Sequence, residues 1–363
     1  MRKLIKKDVL AACKGGAVYA SGGGAFYEHG LEMGYAALAL DNVRLASLDE
    51  LPEDGIILTQ TAIGAPAGTT DWQMLGKDYI KAVQLVMDKY PGKVIGLMTP
   101  QNGKSSSTNG WLAAAALDLV LVDATGDIRA HPTGKMGAMG VANDISYQTV
   151  QAVAGGKPET GRYIEMVVEG TTAYTSKLLR VASDLSGGFI AAARNPLTVK
   201  YVKENGVVGG LSKAIDLGHA IIAAEEAGND VIEAIVDQTD GKILARGTVV
   251  TKDMRYTDEA FDIGTFTVKT EDGRELTLHA QNEFMAIDDQ DGTRLSTYPD
   301  VETVLDAQTA FPLSTNEIEV GQEVAIFVIE KEKIPLSTGV KDPSVYQEVE
   351  DNLGIELYRH SFG

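Results

Sequence analysis

Between Val122 and Pro132 the chain sets two carboxylates, a guanidinium and an imidazole within nine residues: Asp123, Asp127, Arg129 and His131. Gly126 permits a sharp turn, and Pro132 holds the backbone of His131 extended, so these side chains can be aimed rather than merely solvated. An imidazole moves protons near neutral pH, and a neighbouring carboxylate fixes its tautomer or activates water. On this logic Asp123, Asp127 and His131 are the candidate catalytic groups. Arg129 is a candidate for gripping a substrate carboxylate through two parallel N–H bonds. The competing reading is an Asp–Arg pair that pins the loop, with His131 as a capping donor. A divalent metal held by Asp and His is a further option, but five scattered histidines give no diagnostic spacing.

Three weaker features could complete such a site. Gly22, Gly23 and Gly24 form either a tight turn needing positive φ or a nest of backbone N–H groups around an oxygen. Asn102 and Asn109 flank Lys104, Ser105, Ser106 and Ser107, and their amides can pair with the N–H and C=O edges of a cyclic ureide-like ring. Gln281, Asn282 and Glu283 close a strand of the second half, where Glu283 could meet the ligand from the other side of a cleft.

Other chemistries fail on spacing. The third glycine of a dinucleotide-binding G-x-G-x-x-G would fall at Tyr27, and the first glycine of a phosphate loop ending in Gly103-Lys104-Ser105 would fall at Met98. No nucleotide cofactor is expected. There is no G-x-S-x-G and no H-E-x-x-H, which disfavours a serine hydrolase and a zincin. The single cysteine, Cys13, sits in an Ala-rich helical stretch and reads as a packing residue.

The elements that must position these groups follow from periodicity. Residues 56–62 are a short apolar, β-branched run that reads as a buried strand ending at Gly64, Ala65 and Pro66. Asp71 can cap the next helix, in which Leu75, Tyr79, Ala82, Val83, Val86, Met87 and Tyr90 recur at helical spacing until Pro91-Gly92. Strands over 93–99 and 119–123 follow, with a helix over 111–117 between them. Strand, helix, strand, helix, strand predicts a largely parallel sheet with flanking helices, and ligands of such sheets sit beyond the carboxyl ends of the strands. The polar loops at 64–70, 100–109 and 125–140 all fall there.

Before this unit, a helix ends near Cys13, punctuated by Gly15-Gly16. After it, 163–169 reads as a strand, 176–193 and 211–222 as helices, and 231–334 as mostly antiparallel strands separated by turns such as Glu271-Asp272-Gly273. The expected organisation is an α/β domain over 1–165, a helical linker plus β-rich domain with a few helices over 166–345, and a polar tail over 346–363.

The bulk numbers bound the partners. A chain of 363 residues supports two ordinary domains, and its net charge of −19 repels phosphate backbones and anionic lipid, so neither nucleic acid nor a membrane is an expected partner. Arg2, Lys3, Lys6 and Lys7 with Leu10-Ala11-Ala12-Cys13 imitate a lipoprotein leader, but no apolar run separates charges from cysteine. A cytoplasmic location is expected, and a homo-oligomer stays open.

An ordered set of short motifs resembles the S-methyl-thiohydantoin desulfurase-like family. It comprises Gly16-Ala17 with Gly22-Gly23-Gly24, Gly64-Ala65-Pro66, Pro100 with Gly103, and Val122-Asp123 with Gly126 and Arg129-Ala130. The 211–218 run starting Leu211-Ser212-Lys213, then Gln281-Asn282-Glu283, Tyr298-Pro299-Asp300 and Gly321-Gln322 continue it. The resemblance implies an N-terminal α/β domain, a C-terminal β-rich one, and hydrolysis of an S-methylated thiohydantoin to a hydantoin and methanethiol. It also implies the company of hydantoinase- or oxoprolinase-type proteins, so a non-catalytic binding partner of such an enzyme is the rival expectation. Many relatives carry Glu where this chain has Gln101 and lack the imidazole of His131. The expected mechanism has Asp127 or Asp123 activating water and His131 shuttling the proton. The adduct would be held by N–H groups of Gly22 to Gly24 and an Asn102 or Asn109 amide.

Overall fold

A computed structural model describes residues 1–64, 74–257, 259 and 261–363. The Ala65-Pro66 turn and the Asp71 cap read from sequence lie outside the described residues. The first part of the chain supplies strands β1 (Arg2–Lys3), β2 (Arg44–Ala46), β3 (Ile56–Gly64), β4 (Val94–Thr99), β5 (Val120–Thr125), β6 (Thr149–Gly155), β7 (Ile164–Gly170), β8 (Phe189–Thr198) and β9 (Val207–Val208). They form one sheet in the order β1-β2-β5-β4-β3-β8-β6-β7, with β9 paired to β5. Its core, β2-β5-β4-β3, is parallel, and β8, β6 and β7 extend it antiparallel.

The helices of this part are α1 (Lys6–Tyr19), α2 (Tyr27–Ala39), α3 (Gly76–Lys89), α4 (Trp111–Ala116), α5 (Thr172–Ser186), α6 (Val199–Asn205), α7 (Gly210–Ala227) and α8 (Val231–Thr239). Both faces of the parallel strands are covered. Leu58, Leu97 and Leu121 pack with Tyr79, Ala82, Val83 and Val86 of α3, while their neighbours Ile57, Met98 and Val122 enter a second core on the other face. That two-sided burial explains why these strands read as continuous apolar runs rather than alternating ones.

The second sheet is antiparallel throughout. It comprises β10 (Lys242–Tyr256), β11 (Asp262–Thr270), β12 (Glu275–Gln281), β13 (Glu283–Asp289), β14 (Arg294–Thr297), β15 (Val301–Asp306) and β16 (Glu323–Ile329), ordered β14-β13-β12-β11-β10-β16-β15. Helices α9 (Gln347–Leu353) and α10 (Tyr358–Phe362) end the chain, docked through the buried Tyr346, Val349 and Leu357.

Three sequence expectations are corrected. Residues 176–193 are not one helix, because Gly187 terminates α5 in the left-handed conformation and the Ala-rich run from Phe189 becomes β8, buried between β3 and β6. The strand expected at 231 is helix α8, capped by Asp230, whose carboxylate accepts from Ile232 N and Glu233 N. Residues 172–227, part of the helical linker plus β-rich unit expected over 166–345, are built onto the first sheet, where α7 lies along α1.

Gly15 and Gly16 do not interrupt α1, which runs on to Tyr19. They let α7 approach: a Cβ on Gly15 would overlap the Ala214 carbonyl, and one on Gly218 the Ala11 carbonyl. Gly218→Ala is therefore expected to cost about 1–3 kcal/mol by overpacking, seen as a lower urea midpoint at unchanged slope. A midpoint equal to that of the unsubstituted chain would contradict this close contact.

Candidate active site

The loops leaving β4 and β5 converge beyond the carboxyl ends of the parallel strands, beside Gly64 at the end of β3. Thr99 Oγ1, at the end of β4, donates to Gln101 O at 2.8 Å and Ser106 O at 2.7 Å, folding the loop back. The loop after β5 is tied to it by Asp127 N donating to Pro100 O at 2.9 Å, and to the end of α1 by Ala130 N donating to Tyr19 O at 3.1 Å. From the second sheet, Asn282 takes the left-handed conformation at φ 59° as the single residue between β12 and β13. Phe284 N then donates to Ser21 O at 2.7 Å, which brings Glu283 onto the glycine turn.

These segments enclose a cavity of about 90 Å³, lined among others by Gly24, Gln101, His131, Arg180, Arg194 and Glu283. One water needs roughly 10–15 Å³ on this measure, so the space suits a small ring rather than a single water. Glu283 is buried, and its Oε2 has no hydrogen-bond partner among the described residues. Burial pushes its carboxyl up to about 8 despite the nearby positive charges of Arg129 and Arg180. His131 presents its ring to the same cavity, with Nδ1 3.7 Å from Asp127 Oδ2. Asp127 is fully buried; Oδ2 accepts from the Tyr298 phenol at 2.6 Å, while Oδ1 is without a partner among the described residues.

The structure brings together only part of the set read from sequence. His131, Glu283, Gly23 and Gly24 line the cavity, and Asp127 stands behind His131. Asp123 does not: its carboxylate accepts from Ser212 N at 2.9 Å and Ser212 Oγ at 2.7 Å, anchoring the start of α7. Arg129 is not a substrate clamp, since its Nε donates to Ala130 O and its two terminal nitrogens to the Asp300 and Phe284 carbonyls. Asn102 spends its amide on Ile128 O at 3.0 Å and Gly210 O at 2.9 Å, and Asn109 is buried against the Tyr79 hydroxyl.

The triple glycine is chiefly a turn. Gly22 and Gly24 take φ values of 85° and 77°, Gly23 N donates to Ala20 O, and Gly22 carries no cavity wall. A side chain on Gly23 would collide with the Glu283 carboxyl, so the missing Cβ is what admits that group. Lys104, the lysine of the phosphate-loop-like stretch, is buried and committed to Ser314 Oγ at 2.7 Å and to Glu317. Cys13 is buried in α1, its thiol pushed up to about 12 by burial. Among the described residues no group of three His, Cys, Asp or Glu could hold a metal ion.

Sequence reading missed three residues. Tyr298, which holds Asp127, appeared only as part of a motif with Pro299. Arg180 and Arg194 both line the cavity, Arg194 as the lone charge ending the apolar run 189–193; that isolated charge was the available signal.

Comparison with known proteins agrees with this architecture. A protein from Chromobacterium violaceum of known crystal structure shares the fold, with a TM-score of 0.71 at 20% identity over 98% of this chain and 97% of that one. No curated protein matches the chain. No helix among the described residues is long and apolar enough to cross a membrane. The S-Me-THD-like N-terminal domain matches residues 7–159 and the S-Me-THD-like C-terminal domain residues 170–337. The chain belongs to the S-Me-THD-like family.

Proposed function

We propose that this chain hydrolyses a small cyclic thio-ureide of the S-methylated thiohydantoin type, with His131 and Glu283 handling the protons. The observation that carries the reading is Glu283, a buried carboxyl on the cavity wall that is mostly protonated at neutral pH. A neutral carboxylic acid in a ligand cavity is a proton donor in waiting.

In the reaction, His131 takes a proton from water as its oxygen attacks the ring carbon that bears the methylthio group. The C=N bond opens and its nitrogen gains a proton, giving a tetrahedral adduct that carries both hydroxyl and methylthio groups. The C–S bond then breaks and the leaving sulfur is protonated, so one water is consumed for one hydantoin and one methanethiol. Glu283 supplies the proton on the ring side, and Asp127 is a positioning residue that holds the imidazole from behind. The 3.7 Å between Asp127 and His131 is longer than a hydrogen bond, a separation that closes when a ligand orders the site. Gln101 Oε1 accepts from His131 N at 3.2 Å, a contact that an amide makes as well as the carboxylate of many relatives. A hydantoin product suits a hydantoinase-type partner, and we place the chain in the cytoplasm, where a lone reduced thiol is at home.

Glu283→Gln keeps the shape and removes the proton, so methanethiol release from an S-methylated thiohydantoin is expected to fall by about 10²–10⁴-fold. His131→Ala falls in the same range. Turnover by the unsubstituted protein should decline as pH rises through about 8. Full activity of both variants would refute the assignment.

Stability gives a readout free of catalysis. The folded chain keeps on Glu283 a proton that the unfolded chain releases above roughly pH 4.3. The contribution is whole below that pH and is lost progressively until about pH 8. The stability of Glu283→Gln relative to the unsubstituted protein should therefore rise between pH 5 and pH 8. Parallel pH–stability curves would contradict a neutral Glu283.

A further inference from the structure

Helix α5 buries one side and leaves an apolar row on another. Leu179 and Ala182 are buried against β3, β6 and β8. Tyr174, Leu178, Val181 and Leu185 are exposed at 75%, 52%, 57% and 59%. Their spacing of four, three and four residues sets all of them in one stripe along the helix. Apolar residues scattered singly over a surface need no explanation, but a continuous row on a helix does, because the solvent side of a surface helix is ordinarily polar. Beside α5 lies β7, the last strand of the sheet, where Ile164, Met166 and Val168 are only partly buried on the face that packs with Leu179 and Ala182.

The charges on the flank of the stripe say what covers it. Lys177 and Asp184 lie one heptad apart on the same side of α5, both are exposed, and both border a groove of about 590 Å³ between α5 and α9. Lys177 makes no ion pair among the described residues, and Asp184 only accepts from the Tyr256 hydroxyl at 3.3 Å. When two copies of one helix meet about a two-fold axis that crosses them, they run antiparallel, and the same flank of each lies on the same side of the contact. With the axis between Leu178 and Val181, Leu178 of each copy meets Val181 of the other, Tyr174 meets Leu185, and Lys177 comes opposite Asp184 twice over. Every apolar residue of the stripe then has an apolar partner, and each flank charge an opposite one. Parallel helices would instead bring this flank against Thr175 and Ala182, which are buried and uncharged.

We propose that α5, with β7 beside it, is the interface at which two copies of this chain pair. A stable pair buries about 800 Å² on each copy, more than one helix stripe supplies, which is why the partly covered face of β7 takes part. Ser176 and Arg180 of the same helix line the ligand cavity, so the pairing braces a wall of that cavity.

Sedimentation equilibrium of the full chain measures the pairing. At micromolar concentration a mass twice that of one chain is expected. Leu178→Glu changes an exposed position and should leave a folded monomer, with thermal melting reporting the fold. Lys177→Glu and Asp184→Lys each exchange both ion pairs for like-charge contacts and should weaken the dimer by roughly tenfold. The two substitutions together restore opposite charges across the axis and should recover the original dissociation constant. A monomer at these concentrations overturns the interface, whichever other molecule covers the stripe. An assembly that survives in folded Leu178→Glu does the same, and Val181→Glu takes its place if that variant fails to fold. A double variant no tighter than the single ones overturns the antiparallel pairing.

Discussion

The guanidinium of Arg129 is a buried fastening between the two sheets. It is fully buried, and its donors must be satisfied inside the protein or the fold bears the desolvation cost of a bare cation. Its acceptors are the Ala130 carbonyl in its own loop and the Phe284 and Asp300 carbonyls from the second sheet, with the Tyr298 ring 5.1 Å away. Glu302 stands 3.6 Å off, equally buried, and burial still pushes that carboxyl up to about 7 against the pull of Arg129. Because Glu283 precedes Phe284 in β13, docking Arg129 on the Phe284 carbonyl sets where Glu283 stands. The cavity-wall carboxyl is thus placed by a residue that does not itself line the cavity.

Burial then sorts the charges around that fastening. The carboxyls that are fully enclosed, Glu283 and Glu302, both drift toward neutrality, because nearby arginines do not repay the loss of water. Arginine cannot shed its proton to the same extent, so the cavity is left with cationic walls and a neutral acid. A whole-chain charge of −19 therefore conceals a local excess of positive charge where a ligand would sit. Net charge speaks to solubility and to polyanionic partners, and it says nothing about one cavity.

Much of the fold was legible because it rests on local pattern. The helical spacing from Leu75 to Tyr90 and the apolar runs around Leu58, Leu97 and Leu121 announce α3, β3, β4 and β5, and the loops after β4 and β5 do meet at one cavity. What was not legible depended on distant contacts. Ala191, Ala192 and Ala193 are helix formers by propensity and became a strand because β3 and β6 lie on either side. Gly15 reads as punctuation after a helix and is instead, with Gly218 of α7, the contact surface between α1 and α7. In the site, the density of charge from Asp123 to His131 fell on a loop that reaches the cavity, but did not reveal where each side chain goes. Asp123 turned to Ser212, Arg129 to the second sheet, and only His131 reached the cavity wall, with Asp127 behind it. The strand-end cluster Gln281-Asn282-Glu283 lies where the second sheet meets the cavity, while Arg194, alone at the end of an apolar run, needed the partner strands to be seen.

The most direct test of the account is a crystal structure of the protein soaked with hydantoin. The ring is predicted to occupy the cavity beyond β3, β4 and β5, with one edge within hydrogen-bonding distance of the Glu283 carboxyl and another facing the His131 imidazole. A ring bound elsewhere, with Glu283 and His131 untouched, would contradict the assignment of this cavity as the reacting centre.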